Sequence, residues 1–148
     1  MTPSRYHSLD PLIERIKIDH PDLIFKNGQK FSFRPPRTIT IGPKEPHMEL
    51  LLMHELGHAL LGHNNFSTHI DRLKMESAAW EKARELSKIY GIVYVEDVAQ
   101  AELDTYRDWL HQKSLCPICG LTRYQDPSGI YHCPHCESFH RNQKRGSN

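Results

Sequence analysis

Met53-His54-Glu55-Leu56-Gly57-His58-Ala59-Leu60-Leu61-Gly62-His63 is the stretch around which this chain is organised. On a helix, His54 and His58 lie one turn apart on the same face, so two neutral imidazoles can ligate one zinc ion. Glu55, the next position around the helix, can then reach a water on the metal rather than the metal itself. Leu50, Leu51, Leu52, Met53, Leu56, Ala59, Leu60 and Leu61 make the surroundings apolar. A buried helix that carries two histidines and a glutamate bears groups an ordinary core excludes, unless they bind something. With 11 histidines in the chain an accidental HExxH has to be weighed, and the helical, apolar context weighs against accident. The stretch therefore predicts a zinc site.

At 148 residues the chain can hold one medium domain, or a smaller one with a metal-stabilised appendage. Nineteen basic against 18 acidic residues leave a formal charge of +1, which gives no global electrostatic argument for a nucleic-acid or membrane partner. The segment Met1-Thr2-Pro3-Ser4-Arg5-Tyr6-His7 lacks the apolar stretch of a signal peptide, and the run Leu50 to Met53 is far too short to span a bilayer. All four cysteines fall between Cys116 and Cys136 as two close pairs. That usage predicts a metal site in a reducing, cytoplasmic setting rather than a disulfide scaffold.

Asp10-Pro11 reads as an N-cap followed by proline at the first helical position, with Leu9, Leu12, Ile13 and Ile16 as the apolar face of a helix to about Asp19. Asn27-Gly28, between Leu23-Ile24-Phe25 and Phe31-Ser32-Phe33, predicts a β-hairpin. Pro35-Pro36 breaks the sheet, and Thr38-Ile39-Thr40-Ile41 resumes it as a strand whose edge could take an extended peptide. The metal helix should run from near Pro46 to His63. A long helix follows from about Thr68 to Tyr90, stopped by Gly91, with Leu73, Glu76, Trp80, Ala83 and Leu86 or Ile89 on its inward face. Ile92 to Val95 reads as a short extended bridge. A fourth helix carrying Val98, Tyr106, Trp109 and Leu110 should end near Lys113, and no internal repeat is present.

A catalytic zinc keeps three protein ligands and an open position, so the two histidines need a third group. Glu76 is one candidate, because a carboxylate on an apolar helix stripe is costly unless it meets a cation. His63 is another, but it lies roughly 140° further around the helix than His58 and is poorly placed to join it. The third-ligand histidine of the HExxHxxGxxH class is excluded, since Leu61 and Asn64 occupy the required glycine and histidine positions. His69 could serve if the chain turns back after Asn64-Asn65.

His54-Glu55-Leu56-Gly57-His58-Ala59-Leu60-Leu61-Gly62-His63, with Glu76-x-x-Ala79 downstream and the Thr38–Ile41 strand upstream, resembles the ImmA/IrrE metallopeptidases over roughly residues 35–90. The resemblance implies an α+β, zincin-like fold in which the HExxH helix packs on a small sheet. It also implies His54, His58 and Glu76 as zinc ligands, Glu55 as general base, and a specific protein substrate such as a regulator or repressor. Ala78 stands where many members carry an acidic residue, and Trp80 where a smaller polar residue is common. For the oxyanion of peptide hydrolysis, His69, Tyr90, Tyr94 and His111 are conceivable donors.

Cys116-Pro117-Ile118-Cys119-Gly120 and Cys133-Pro134-His135-Cys136, separated by 13 residues, have the spacing of a structural four-cysteine zinc site and resemble a zinc ribbon. Asp126-Pro127-Ser128-Gly129 should turn the hairpin between them, and the metal supplies the folding energy that so short a segment lacks. Arg123, Arg141, Lys144 and Arg145 outnumber Asp126 and Glu137, while Tyr124, Tyr131 and Phe139 could stack on bases, so a nucleic-acid or protein contact through the ribbon is conceivable. His132, His135 and His140 read as surface residues. The expected organisation is a metallopeptidase domain over 1–113, a ribbon over 114–141 and a disordered tail over 142–148. Two other readings compete with a zinc endopeptidase: a SprT-like DNA-associated protease with His69 as third ligand, and an inactive zinc-stabilised interaction module. The intact Glu55 speaks against the last, since only catalysis needs a base there.

Overall fold

Pro11 lies in the first turn of helix α1 (Asp10–Asp19), where its missing N–H costs nothing. The structure, a computed structural model, describes residues 8–137. The expected tail at 142–148 and the last residues of the expected ribbon, 138–141, lie outside the described residues. The cap of α1 is Leu9 rather than Asp10, which is already helical. Leu12 and Ile16 are fully buried, each contributing roughly 1.5–3 kcal/mol of apolar burial.

Three strands follow: β1 (Ile24–Asn27), β2 (Ser32–Arg34) and β3 (Thr38–Ile41). Their order is β1-β3-β2, with β1 parallel and β2 antiparallel to β3. The hairpin expected at Asn27-Gly28 is therefore not formed, since β1 and β2 do not pair. Gly28 donates instead to Ile41 O at 2.9 Å, extending the β1–β3 ladder. The hairpin lies one connection later, where Arg34 faces Thr38 across Pro35-Pro36-Arg37 and the prolines supply no N–H to continue a ladder. Burial gives the reason. Ile39 and Ile41 are the buried side chains of the sheet, and a strand that buries them is best flanked on both sides. The same order corrects the expectation that Thr38–Ile41 offers an edge to a peptide: β3 is central, and the edges belong to β1 and β2.

Helix α2 (Met48–Leu60) begins two residues later than expected, after His47 in a left-handed conformation. It also ends three residues before His63. It packs against β2 and β3, burying Leu50, Leu52, Met53 and Leu56. Helix α3 (His69–Tyr90) matches its predicted span and stops at Gly91, φ +70°. Thr68 Oγ1 accepts the Asp71 N–H at 3.2 Å and so caps its start. Tyr90 is buried and donates to Asp19 at 2.8 Å, while Arg15 donates to Ile89 O, so α1 is tied to the end of α3. Residues 92–95 are not a strand, and helix α4 (Glu96–Ser114) follows directly.

The described chain is a mixed α+β protein in two compact units that are not consecutive in sequence. One holds residues 8–65 and 75–101; the other holds 66–74 and 102–137. The composition changes after Ser114, but by packing the first turns of α3 and the second half of α4 belong with the cysteine segment. Within that second unit, the backbone N–H of His69 donates to Gln125 and its ring meets Tyr131 Oη at 2.8 Å. Strands β4 (Tyr124–Gln125) and β5 (Tyr131–His132) form the predicted two-stranded hairpin. No described helix is long and apolar enough to cross a membrane.

Candidate metal centres

Helical spacing puts His54 and His58 on one face of α2, and their Nε2 atoms are 3.2 Å apart. Glu76, on the inward stripe of α3 with Ala79, Trp80 and Ala83, brings Oε2 to 3.0 Å from His54 Nε2 and 3.1 Å from His58 Nε2. All three side chains are buried. Metal–ligand bonds of about 2.0–2.1 Å in a tetrahedral zinc site separate neighbouring donors by about 3.3–3.4 Å, so this trio has close to the required spacing. Burial alone would raise the Glu76 carboxyl, but hydrogen bonds with His54 and His58 outweigh it and hold the group far below the usual carboxylate range. Burial pushes the His54 imidazole down, against the pull of Glu76. A metal ion at this point would take the place of the Nε2 protons shared with Glu76, leaving a carboxylate and two neutral imidazoles as its donors.

The close approach of α2 and α3 depends on Gly57. A Cβ there would lie 2.7 Å from the Ala79 carbonyl oxygen and 3.3 Å from Lys82 Cβ. The same contact places Trp80 under the site, its ring stacked on His54 at 4.2 Å between centroids. Sequence reading missed both roles. The glycine inside an otherwise apolar helix was the available signal, since glycine there costs about 1 kcal/mol relative to alanine unless packing requires it.

Glu55 is half-buried at the position after His54 and is not one of the three donors. His63 sits beside His58, with the two Nδ1 atoms 2.9 Å apart. His69 belongs to the second unit, bonded to Tyr131 and packed on Trp109, and the third donor grouped with His54 and His58 is Glu76. Of the conceivable oxyanion donors, Tyr90 spends its hydroxyl on Asp19, whereas Tyr94 packs edge-on against Trp80.

The second group is Cys116, Cys119, Cys133 and Cys136, all free thiols whose sulfur atoms cluster together. Cys116 Sγ is 3.8 Å from Cys136 Sγ, and Cys119 Sγ is 3.5 Å from Cys133 Sγ. Zinc–sulfur bonds of about 2.3 Å imply tetrahedral sulfur separations of about 3.8 Å, whereas a disulfide needs about 2.05 Å. Backbone N–H groups of Cys119 and Ile118 lower the Cys116 thiol to about 6, while burial and the neighbouring thiols push Cys136 up to about 12. One thiolate thus makes the next harder to form, a conflict that a bound cation removes. Gly120, φ +75°, lets its N–H turn back onto Cys116 O at 2.9 Å. In the hairpin, Asp126 Oδ1 accepts from Ser128 and Ile130, and His132 is held between Asp126 at 2.7 Å and Glu137 at 3.0 Å. His132 is therefore an internal clamp of the hairpin rather than a metal donor. Arg123 lies over Tyr131 and donates to Lys113 O. Arg141, Lys144, Arg145 and Phe139, the other residues behind a nucleic-acid contact, lie outside the described residues.

The two groups can each hold a metal ion, and the fold and sites together define a mixed α+β protein with two candidate metal centres. Comparison with known proteins adds no relative: no family model matches the chain, and no curated protein or solved structure does.

Proposed function

We propose that the chain is a zinc-dependent endopeptidase of zincin-like fold, similar to the ImmA/IrrE metallopeptidases, acting on a protein substrate. The observation that carries this reading is the convergence of His54 Nε2, His58 Nε2 and Glu76 Oε2 on one point, with Glu55 at the adjoining helical position. Those three atoms would hold the catalytic zinc, and the four cysteines a structural one. Bound there, zinc supplies Lewis acidity for a peptide carbonyl and lowers the pKa of water to about 7. Glu55 takes the proton of the attacking water and delivers it to the leaving amine. Burial of the three donors keeps competing solvent away from them. Strand β2 is a sheet edge, and the ring of Phe33 on it lies parallel to that of His58 with centroids 6.4 Å apart, so a substrate strand added to β2 would run beside the donors.

The test combines metal analysis with cleavage. The wild type should carry about two zinc ions, and the His54→Ala/His58→Ala double variant about one. Incubated with a proteome-derived peptide library, the wild type should produce chelator-sensitive cleavages seen by mass spectrometry. Glu55→Gln should retain both ions and lose those cleavages. Unchanged cleavage by Glu55→Gln, or unchanged zinc in the double variant, would refute the proposal.

A further inference from the structure

The end of α2 is built to return one side chain to the metal centre. Gly62 adopts φ +65°, its N–H donates to Ala59 O at 3.1 Å, and the next N–H, of His63, donates to His58 O at 3.1 Å. This pair of bonds around a left-handed glycine is a Schellman closure, and it folds His63 back over the last turn of the helix. Had the helix continued, His63 would have pointed roughly 140° away from His58. Instead its Nδ1 is 2.9 Å from His58 Nδ1, the ring atom of His58 that does not face Glu76.

We infer that His63 is a positioning residue for the metal centre: it accepts the Nδ1–H of His58 and so fixes the tautomer and ring angle that present His58 Nε2 to the ion. The inference rests on the reading of His54, His58 and Glu76 as metal ligands. The chemistry follows from the imidazole ring. A neutral histidine that gives its Nε2 lone pair to a metal carries its proton on Nδ1, and that proton needs an acceptor. For His58 the acceptor is His63 Nδ1, which places the proton of His63 on its own Nε2. His54 has no equivalent, since its Nδ1 is buried without a hydrogen-bond partner among the described residues. One ligand is thus held by a stack on Trp80 and the other by a hydrogen bond to His63.

The experiment measures zinc affinity of the full chain by competition with a fluorescent chelator, with zinc as the only probe, in the wild type, His63→Ala, His63→Asn and Gly62→Ala. Loss of an outer-shell partner typically lowers metal affinity 10–100-fold, and that is the expected effect of His63→Ala at the histidine centre alone, the cysteine-bound ion serving as internal reference. Asn Oδ1 takes the place of His Nδ1, so His63→Asn should recover most of the affinity. A Cβ at Gly62 meets no atom within 4 Å, so Gly62→Ala tests the left-handed turn without a clash and should also weaken zinc. Long-range ¹⁵N NMR of the zinc-loaded protein should show His58 protonated at Nδ1 in the wild type, with a weaker or exchanging Nδ1–H in His63→Ala. Equal affinity in His63→Ala and wild type, or equal loss in His63→Ala and His63→Asn, would overturn the inference. A wild type that holds zinc only at the cysteines would remove the ligand reading beneath it.

Discussion

Replacing Gly57 with alanine asks whether the contact between α2 and α3 sets the metal centre. In an exposed helix the change should stabilise by about 1 kcal/mol, because alanine is the better helix former. Here the added Cβ would lie 2.7 Å from the Ala79 carbonyl oxygen, a backbone atom that cannot rotate away. Relief to a tolerable contact of about 3.2 Å needs the helices to part by about 0.5 Å, and overpacking of that kind costs about 1–3 kcal/mol. Subtracting the propensity gain leaves a net loss of about 0–2 kcal/mol, read by urea denaturation. The effect on the site should be clearer. Glu76 lies one turn before Ala79 on α3, and a shift of about 0.5 Å is the tolerance within which a ligand set must be held. Gly57→Ala should therefore weaken zinc at the histidine centre while leaving the cysteine-bound ion untouched. A variant that is more stable than wild type and binds both ions equally well would show that Gly57 does not control the approach.

Glu76→Gln should strip zinc from the histidine centre and abolish peptide cleavage, whereas His69→Ala should spare both; metal analysis of the two variants with the opposite pattern would favour His69 as ligand. Replacing Cys116 and Cys119 by serine should remove one zinc and unfold the β4–β5 hairpin without affecting Glu76-dependent binding, as judged by metal content and NMR. Tyr90→Phe should cost about 0.5–1.5 kcal/mol in denaturant unfolding through loss of the hydrogen bond to Asp19. Burial and that bond also raise the Tyr90 hydroxyl above its ordinary value, so the folded state holds this proton more tightly than the unfolded state. The contribution is then complete below pH of about 10 and lost as pH rises beyond it, and Tyr90→Phe should flatten the alkaline fall of the stability profile.

Much of this architecture follows from local rules acting on short stretches. The four-residue spacing of His54 and His58 fixes their common face whatever surrounds the helix, and the Cys-x-x-Cys turns with Gly120 fix the sulfur pairs in the same way. Gly91 and the apolar stripe through Trp80 and Ala83 delimit α3 for the same reason: caps and periodicity are properties of neighbouring residues. Strand pairing is different. Asn27-Gly28 is a strong hairpin signal, yet Ile39 and Ile41 gain more by lying between two neighbours than β1 gains by folding onto β2, and only the assembled core could weigh those options.

The sequence by itself determined the two histidines on one helical face, Glu55 at the position beside them, the paired cysteines and the helix that carries Glu76. Residue patterns left Glu76, His63 and His69 open as the third donor, and only tertiary structure brings Glu76 against the two histidines, because that depends on how near α3 can come to α2 and Gly57 permits that approach through a contact between residues far apart in the chain. It also decided the place of His63, since a single left-handed residue at Gly62 reverses the direction that helical periodicity assigns to its neighbour. Periodicity is a rule about residues within one element, and both outcomes were set where an element ends or meets another.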